Sequence, residues 1–265
     1  MAPPPKNSDK KLSSLTYSKY LKVDELLRLQ QPLSEPMAHD EMLFILIHQV
    51  YELWFKLILF ETRTLIQKLD VDDVISCYRL LDRICEILKV LVQQIDILET
   101  MSPVEFNVFR THLNPASGFQ SLQFRELEIL SGLPIKEFDY LHALEPEWKN
   151  RVQELGGERS LKKAFAELLI RKELITSEAE LGKGISEIYS EQCEPELHNL
   201  CEQLLTYDEL FSLWRFRHVQ MVERMIGMKK GTGGSLGVFY LQSTLKRRFF
   251  PELWEVRTEL GSGAY

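Results

Sequence analysis

Cysteine is scarce in this chain, and basic charge is outnumbered. There are 4 cysteines in 265 residues, at positions 77, 85, 193 and 201, too few and too widely spaced for a disulfide scaffold, with no C-x-x-C pair among them. Reduced, mostly buried thiols in a cytoplasmic protein are the expectation. Lysine and arginine number 32 against 39 aspartates and glutamates, a net charge of −7. A nucleic acid would be repelled on average, so none is expected as a partner. A long uninterrupted apolar run is also missing. The most apolar stretch, Met42 to Phe60, is broken by His48, Gln49, Glu52 and Lys56, whereas a membrane span needs roughly 18 residues with few or no charges. No membrane association is expected. Met1 to Lys11 is proline-rich and then lysine-rich, without the apolar centre of a signal peptide. Residues 1–12 read as a disordered tail. Alternating strands, hairpin dipeptides and repeats of 20–50 residues are absent as well.

What is present is helical. With 45% hydrophobic and 27% charged residues, the chain can bury a core of its own without disulfide or metal staples. Cys77, Leu81, Ile84, Leu88, Leu91, Ile95 and Leu98 alternate steps of four and three, the seam of one long bundle helix. Ser102-Pro103-Val104-Glu105 reads as a capping box with proline at the first helical position. Thr206-Tyr207-Asp208-Glu209 and Ser177-Glu178-Ala179-Glu180 read as two more, the former opening a helix toward Met225. Prolines 32, 36, 103, 115, 134, 146, 195 and 251 punctuate the segments. The fold class is all-α: a bundle of long helices with small ones inserted, forming one domain over residues 13–265. The charged stretch 132–175 reads as an excursion from the bundle.

Three polar residues stand on apolar helix faces. His48 pairs with Phe44 at i, i+4; Arg110 follows Phe106 by four; His218 shares a stripe with Phe211, Trp214, Val222 and Met225. Hydrogen-bonded core histidines and an arginine paired with a buried carboxylate would explain them, and so would a haem or metal site. Zinc fits poorly, because no H-E-x-x-H is present and His39 is badly spaced from His48. A di-iron site would need paired E-x-x-H motifs, which are missing. Residues 229–235, KKGTGGS, form the one glycine-rich loop, suited to offering N–H groups to an anion but matching neither a P-loop nor a dinucleotide fingerprint.

Beyond these features, an ordered series of motifs spans residues 15 to about 260. It comprises LTYSKYL (15–21), HDE-x-LFI-x-x-HQ-x-YELWFK (39–56), F-x-x-FR (106–110), PASGFQS-x-QFR (115–125), WRFRH (214–218), VERMIG (222–227) and GTGGS (231–235). This series resembles the tryptophan 2,3-dioxygenase family, tetrameric enzymes of the all-α, haem-dependent indole-dioxygenase superfamily. The resemblance implies haem b, ferrous when active, with His218 as its proximal ligand. It implies His48 as the distal histidine for the indole N–H and Arg110 as the grip on the substrate carboxylate. Phe44 and Phe106 become walls around the indole, and Thr232 the contact to the amino-acid head group. Ser117 and Gly118 match the distal segment beside the haem, and Arg125 and Trp214 its surroundings. Tyr17, Tyr20 and Leu21 match residues that reach a neighbouring subunit's pocket, which implies a homotetramer with exchanged N-terminal segments.

These implied roles are chemically coherent. A bidentate arginine offsets the cost of desolvating a tryptophan carboxylate, phenylalanines suit the indole, and a histidine acceptor fixes the register of the ring. One position departs from the family's loop: Leu236 stands where a small polar residue is expected. The expected reaction is L-tryptophan plus O2 to N-formyl-L-kynurenine, the opening step of tryptophan catabolism by the kynurenine route. Two alternatives stay open: a haem monooxygenase of the same superfamily acting on an aromatic amino acid, and a non-enzymatic haem sensor or plain bundle.

Overall fold

The computed structural model describes residues 15–136, 146–191, 194–229, 231 and 237–260. Among these there is no strand, in keeping with the all-α expectation. Two short helices, α1 (Tyr17–Leu21) and α2 (Val23–Leu26), precede the bundle. The long helices are α3 (His39–Asp70), α4 (Val74–Leu98) and α10 (Pro195–Ile226). Between and after them lie α5 (Pro103–Phe109), α6 (Leu122–Ser131), α7 (Pro146–Gly157), α8 (Leu161–Arg171), α9 (Leu181–Glu191), α11 (Val238–Ser243) and α12 (Pro251–Glu259).

Helix α4 is the central rod, packed against both α3 and α10. Every residue of the predicted seam from Cys77 to Leu98 is buried, as the four-three alternation along α4 requires. The Tyr51 hydroxyl donates to the Leu91 carbonyl at 2.7 Å, fastening α3 to α4. The chain turns between these helices at Asp72, where φ is +57°. Asp73 then caps α4 by accepting from the Ser76 N–H.

The capping box at Ser102 forms in both directions. The one expected at Thr206 does not, and this corrects the sequence reading. Helix α10 begins at Pro195 and runs through that point without a break. The Thr206 hydroxyl donates to Glu202 O one turn back, and Asp208 is buried, accepting from Phe249 N–H, Phe250 N–H and the Trp254 indole. At Ser177 a 3-10 turn forms without a side-chain cap; Glu180 instead accepts from Thr176.

The stretch 132–175 is not an excursion over its whole length. Helix α8 packs on α3 and buries Leu161, Ala164, Phe165, Leu168 and Leu169, and Lys162 bonds Glu252 of α12 at 2.6 Å. Cys77, Cys85 and Cys201 are free and buried; Cys193 lies outside the described residues, as does the expected tail at 1–12. Helix α3 is long and apolar enough to cross a membrane by length and composition, which the sequence reading of Met42 to Phe60 did not anticipate. It packs against α4, α5, α6 and α8, and its polar residues find partners there, as Glu61 does with Arg83 at 2.6 Å.

Candidate active site

Helices α3, α5, α6, α10 and α11 enclose a mostly apolar cavity of about 520 Å³, a size typical of a small-molecule site. Phe44, His48, Phe106, Arg110, Ser117, Gly118, Arg125, Trp214 and His218 all line it. Nine of the residues singled out from sequence, drawn from four separate segments, thus share one wall.

Phe44 and His48 sit one turn apart on α3, ring centroids 4.1 Å apart. Phe44 also meets Phe106 at 5.7 Å and Phe109 at 5.6 Å, building an aromatic corner. His48 Nδ1 donates to the Phe44 carbonyl at 2.7 Å. That bond puts the ring proton on Nδ1 and leaves Nε2 as an acceptor for whatever fills the cavity. Burial lowers the His48 pKa, against the opposing pull of the Phe44 carbonyl and the Glu52 carboxylate. The ring is therefore neutral at physiological pH although it opens onto the cavity.

His218 lies on α10, its ring stacked on Trp214 with centroids 5.0 Å apart and planes 6° from parallel. Burial, reinforced by the neighbouring His48 and Arg125, brings its pKa down to about 4. Among the described residues neither ring nitrogen of His218 has a hydrogen-bond partner. A neutral imidazole with a free lone pair is the form that ligates a metal. Nε of Arg215, next to Trp214, is buried without an acceptor among the described residues. An apolar cavity with a ligand-competent imidazole and an orphaned guanidinium donor at its edge fits a large planar cofactor with acidic substituents.

The cavity floor is ionic. Glu128 on α6 bonds Arg125 on its own helix and Arg215 Nη2 on α10, the latter at 3.0 Å. Arg215 Nη1 also donates to the Arg247 carbonyl at 3.0 Å. Glu52, one turn beyond His48, accepts from the Ser121 hydroxyl at 2.6 Å and the Gln123 amide at 2.8 Å. Ser117 N–H donates to Gln120 Oε1 at 3.0 Å, shaping the loop that enters α6.

Three predicted residues stand elsewhere, and a fourth is not described. Thr232 lies outside the described residues, as does Leu236. The cavity is flanked there by Gly231 and Gly237. Gly237 takes φ +60°, and a Cβ on it would fall 2.6 Å from the Lys229 carbonyl, so the base of the glycine-rich loop is pinched to a width only glycine tolerates. Tyr17, Tyr20 and Leu21 are exposed on α1 and do not line this chain's cavity. Conversely, Tyr51, Glu52, Phe55, Arg215 and Glu128 line it without having been singled out. The first three follow His48 by three, four and seven positions, so helical spacing carried a signal for them. Arg215 and Glu128 carried none, because their meeting is between helices.

Comparison with known proteins bears on this site. The family model for tryptophan 2,3-dioxygenase matches residues 5–154 and 149–260. A tryptophan 2,3-dioxygenase of Herpetosiphon aurantiacus is 44% identical over 261 residues, covering 93% of this chain and 99% of the relative. One from Xanthomonas oryzae pv. oryzae is 40% identical over 262 residues, covering 93% of this chain and 88% of the relative. One from Xanthomonas campestris pv. campestris is 40% identical over 271 residues, with the same coverage.

Proposed function

The chain belongs to the tryptophan 2,3-dioxygenase family, and from that premise we propose that it converts L-tryptophan and O2 to N-formyl-L-kynurenine on haem b held in the cavity. The observation that carries the reading is the pair of neutral histidines, His48 and His218, lining one apolar cavity together with Arg110.

His218 would hold the haem iron. Trp214 and Arg125 would stand in its surroundings, where the guanidinium suits an acidic substituent of the macrocycle. When bound, ferrous haem supplies the activation of O2. The chain's own residues bind and orient. Phe44 and Phe106 provide an aromatic slot that takes the indole out of water. His48 Nε2, its tautomer set by the Phe44 carbonyl, accepts the indole N–H and fixes which edge of the ring faces the oxygen. Arg110 takes the carboxylate in the bidentate geometry of a guanidinium. Thr232 would contact the head group from the loop. Closing an apolar cavity around these groups excludes water from the reacting centre.

The exposed Tyr17, Tyr20 and Leu21 suit an arm that completes the site of another copy, in a homotetramer. The free thiols of Cys77, Cys85 and Cys201 suit a cytoplasmic enzyme. The names of the relatives favour dioxygenation over monooxygenation. The test is turnover of L-tryptophan by the haem-loaded, reduced protein under heavy-isotope-labelled O2, read by mass spectrometry. A product carrying two labelled atoms is expected. A product with one would move the enzyme to the monooxygenase reaction, and no product despite bound haem would remove tryptophan as substrate.

A further inference from the structure

Two carboxylates line the cavity, and they differ in one respect. Glu128 is held by two arginines, whereas Glu52 has no cationic partner among the described residues. The half-buried Glu52 carboxylate is satisfied by neutral donors at the cavity wall, where a charge is screened less than in water. Its contacts are specific. One oxygen takes the Ser121 hydroxyl and the other the Gln123 amide, while Gln123 also bonds the Glu52 carbonyl at 2.9 Å. Ser121 is itself the cap of α6, accepting from Phe124 N–H with the same oxygen that donates to Glu52. A single side chain thereby ties the helix that carries His48 to the loop that carries Ser117 and Gly118.

We propose that Glu52 is a positioning residue, fastening the Ser117–Ser121 segment to the His48 helix and furnishing a negative charge that no cation among the described residues neutralises beside the His48 ring. The inference rests on the reading of this cavity as the tryptophan site and adds a residue to its machinery. The charged and titratable groups around the cavity, besides His48 itself, are Tyr51 and Glu52 on the same helix, Arg110 after α5, Arg125 and Glu128 on α6, Arg215 and His218 on α10, and Tyr240 on α11. Glu128 is spent on its arginines. The Phe44 carbonyl and the Glu52 carboxylate oppose burial and raise the proton affinity of His48, and Glu52 is the one of the two that a side-chain substitution can remove. Removing this charge makes His48 easier to keep neutral, so the acid limit of substrate binding moves down in pH.

The test uses E52Q, which keeps an acceptor oxygen for Ser121 and loses the charge, and E52D, which keeps the charge and shortens the reach. In E52Q the His48 titration, followed by NMR of isotope-labelled histidine in the full-length protein without haem, is expected to fall by about half a unit or more. The acid limb of kcat/KM for the haem-loaded enzyme should fall with it. In E52D the titration midpoint should stay and KM for tryptophan rise several-fold, because the loop is no longer held. Should E52Q fail to fold, the KM and titration of E52D decide alone. An unmoved His48 titration in E52Q overturns the proposal, as does a wild-type KM in E52D. A titration that moves without the acid limb also overturns it, since the charge would then have no bearing on the reaction. The titration needs neither haem nor tryptophan, so its outcome is separable from failure of the dioxygenase reading.

Discussion

His48 and His218 are the same side chain set in opposite surroundings. His48 has one nitrogen bound to a backbone carbonyl one turn back, which fixes its tautomer and leaves an acceptor. His218 has both nitrogens without a partner among the described residues and a stacked indole to hold its plane, which suits a ligand. Arg110 differs from both in its placement, at the end of α5 where the helix tightens into a 3-10 turn. Such a turn carries a side chain away from the line of the preceding helix, and here Arg110 joins the aromatic corner at the cavity wall. Replacing Arg110 with leucine is expected to cost about 2–5 kcal/mol of substrate binding, the cost of leaving a desolvated carboxylate without its partner. KM for tryptophan should rise accordingly while the haem absorbance stays unchanged. A variant with normal KM would make Arg110 a structural residue.

At the scale of the element, two similar sequence patterns had different fates. Ser102 and Glu105 cap each other at 3.2 and 2.9 Å and start α5. Thr206 and Glu209 have the same spacing but lie inside α10. Cap signals are local, yet a helix need not start at one if the preceding residues are already helical. Pro195 at the first turn and the buried Leu197, Leu200 and Leu204 start α10 eleven residues earlier. Ser102→Ala is therefore expected to lose about 1 kcal/mol of stability. Thr206→Ala should stay within about 0.5 kcal/mol, as its hydroxyl only back-bonds within the helix. Urea midpoints of the two variants check this; equal losses would contradict the helix boundary.

On the scale of the whole molecule, apolar side chains and the N-terminal arm lie open to solvent. Leu46, Leu53 and Phe60 are exposed at seven-residue spacing along α3, a stripe of the kind that a second copy covers. Helices α1 and α2 contact each other and otherwise project from the bundle. The chain rejoins α3 just after them: Leu33 and Ser34 N–H groups donate to the buried Glu41 carboxylate, and Gln49 donates to the Leu29 carbonyl. The arm is thus anchored at its root and unsupported at its tip. Deleting residues 1–22 is expected to leave haem retention intact and to raise KM for tryptophan at least tenfold, about 1.4 kcal/mol. An unchanged KM would place the arm outside any active site.

Much of this protein was legible along the chain. The seam of α4, the cap of α5 and the pairing of Phe44 with His48 are periodic or contiguous patterns, and a helix brings such residues together by its own pitch. The motif series also named most of the cavity wall, since each functional residue sits inside a recognisable local segment. The paths of α8 and α10, the union of Glu128 with two arginines, and the clamp of Glu52 on Ser121 and Gln123 were not legible. Each depends on at least one contact between distant segments, across 87 positions for Glu128 and Arg215 and 69 for Glu52 and Ser121. Sequence spacing determined which side chains share a helix face; only the packing of one helix on another decided which faces meet, and so which charges in the cavity are neutralised and which remain.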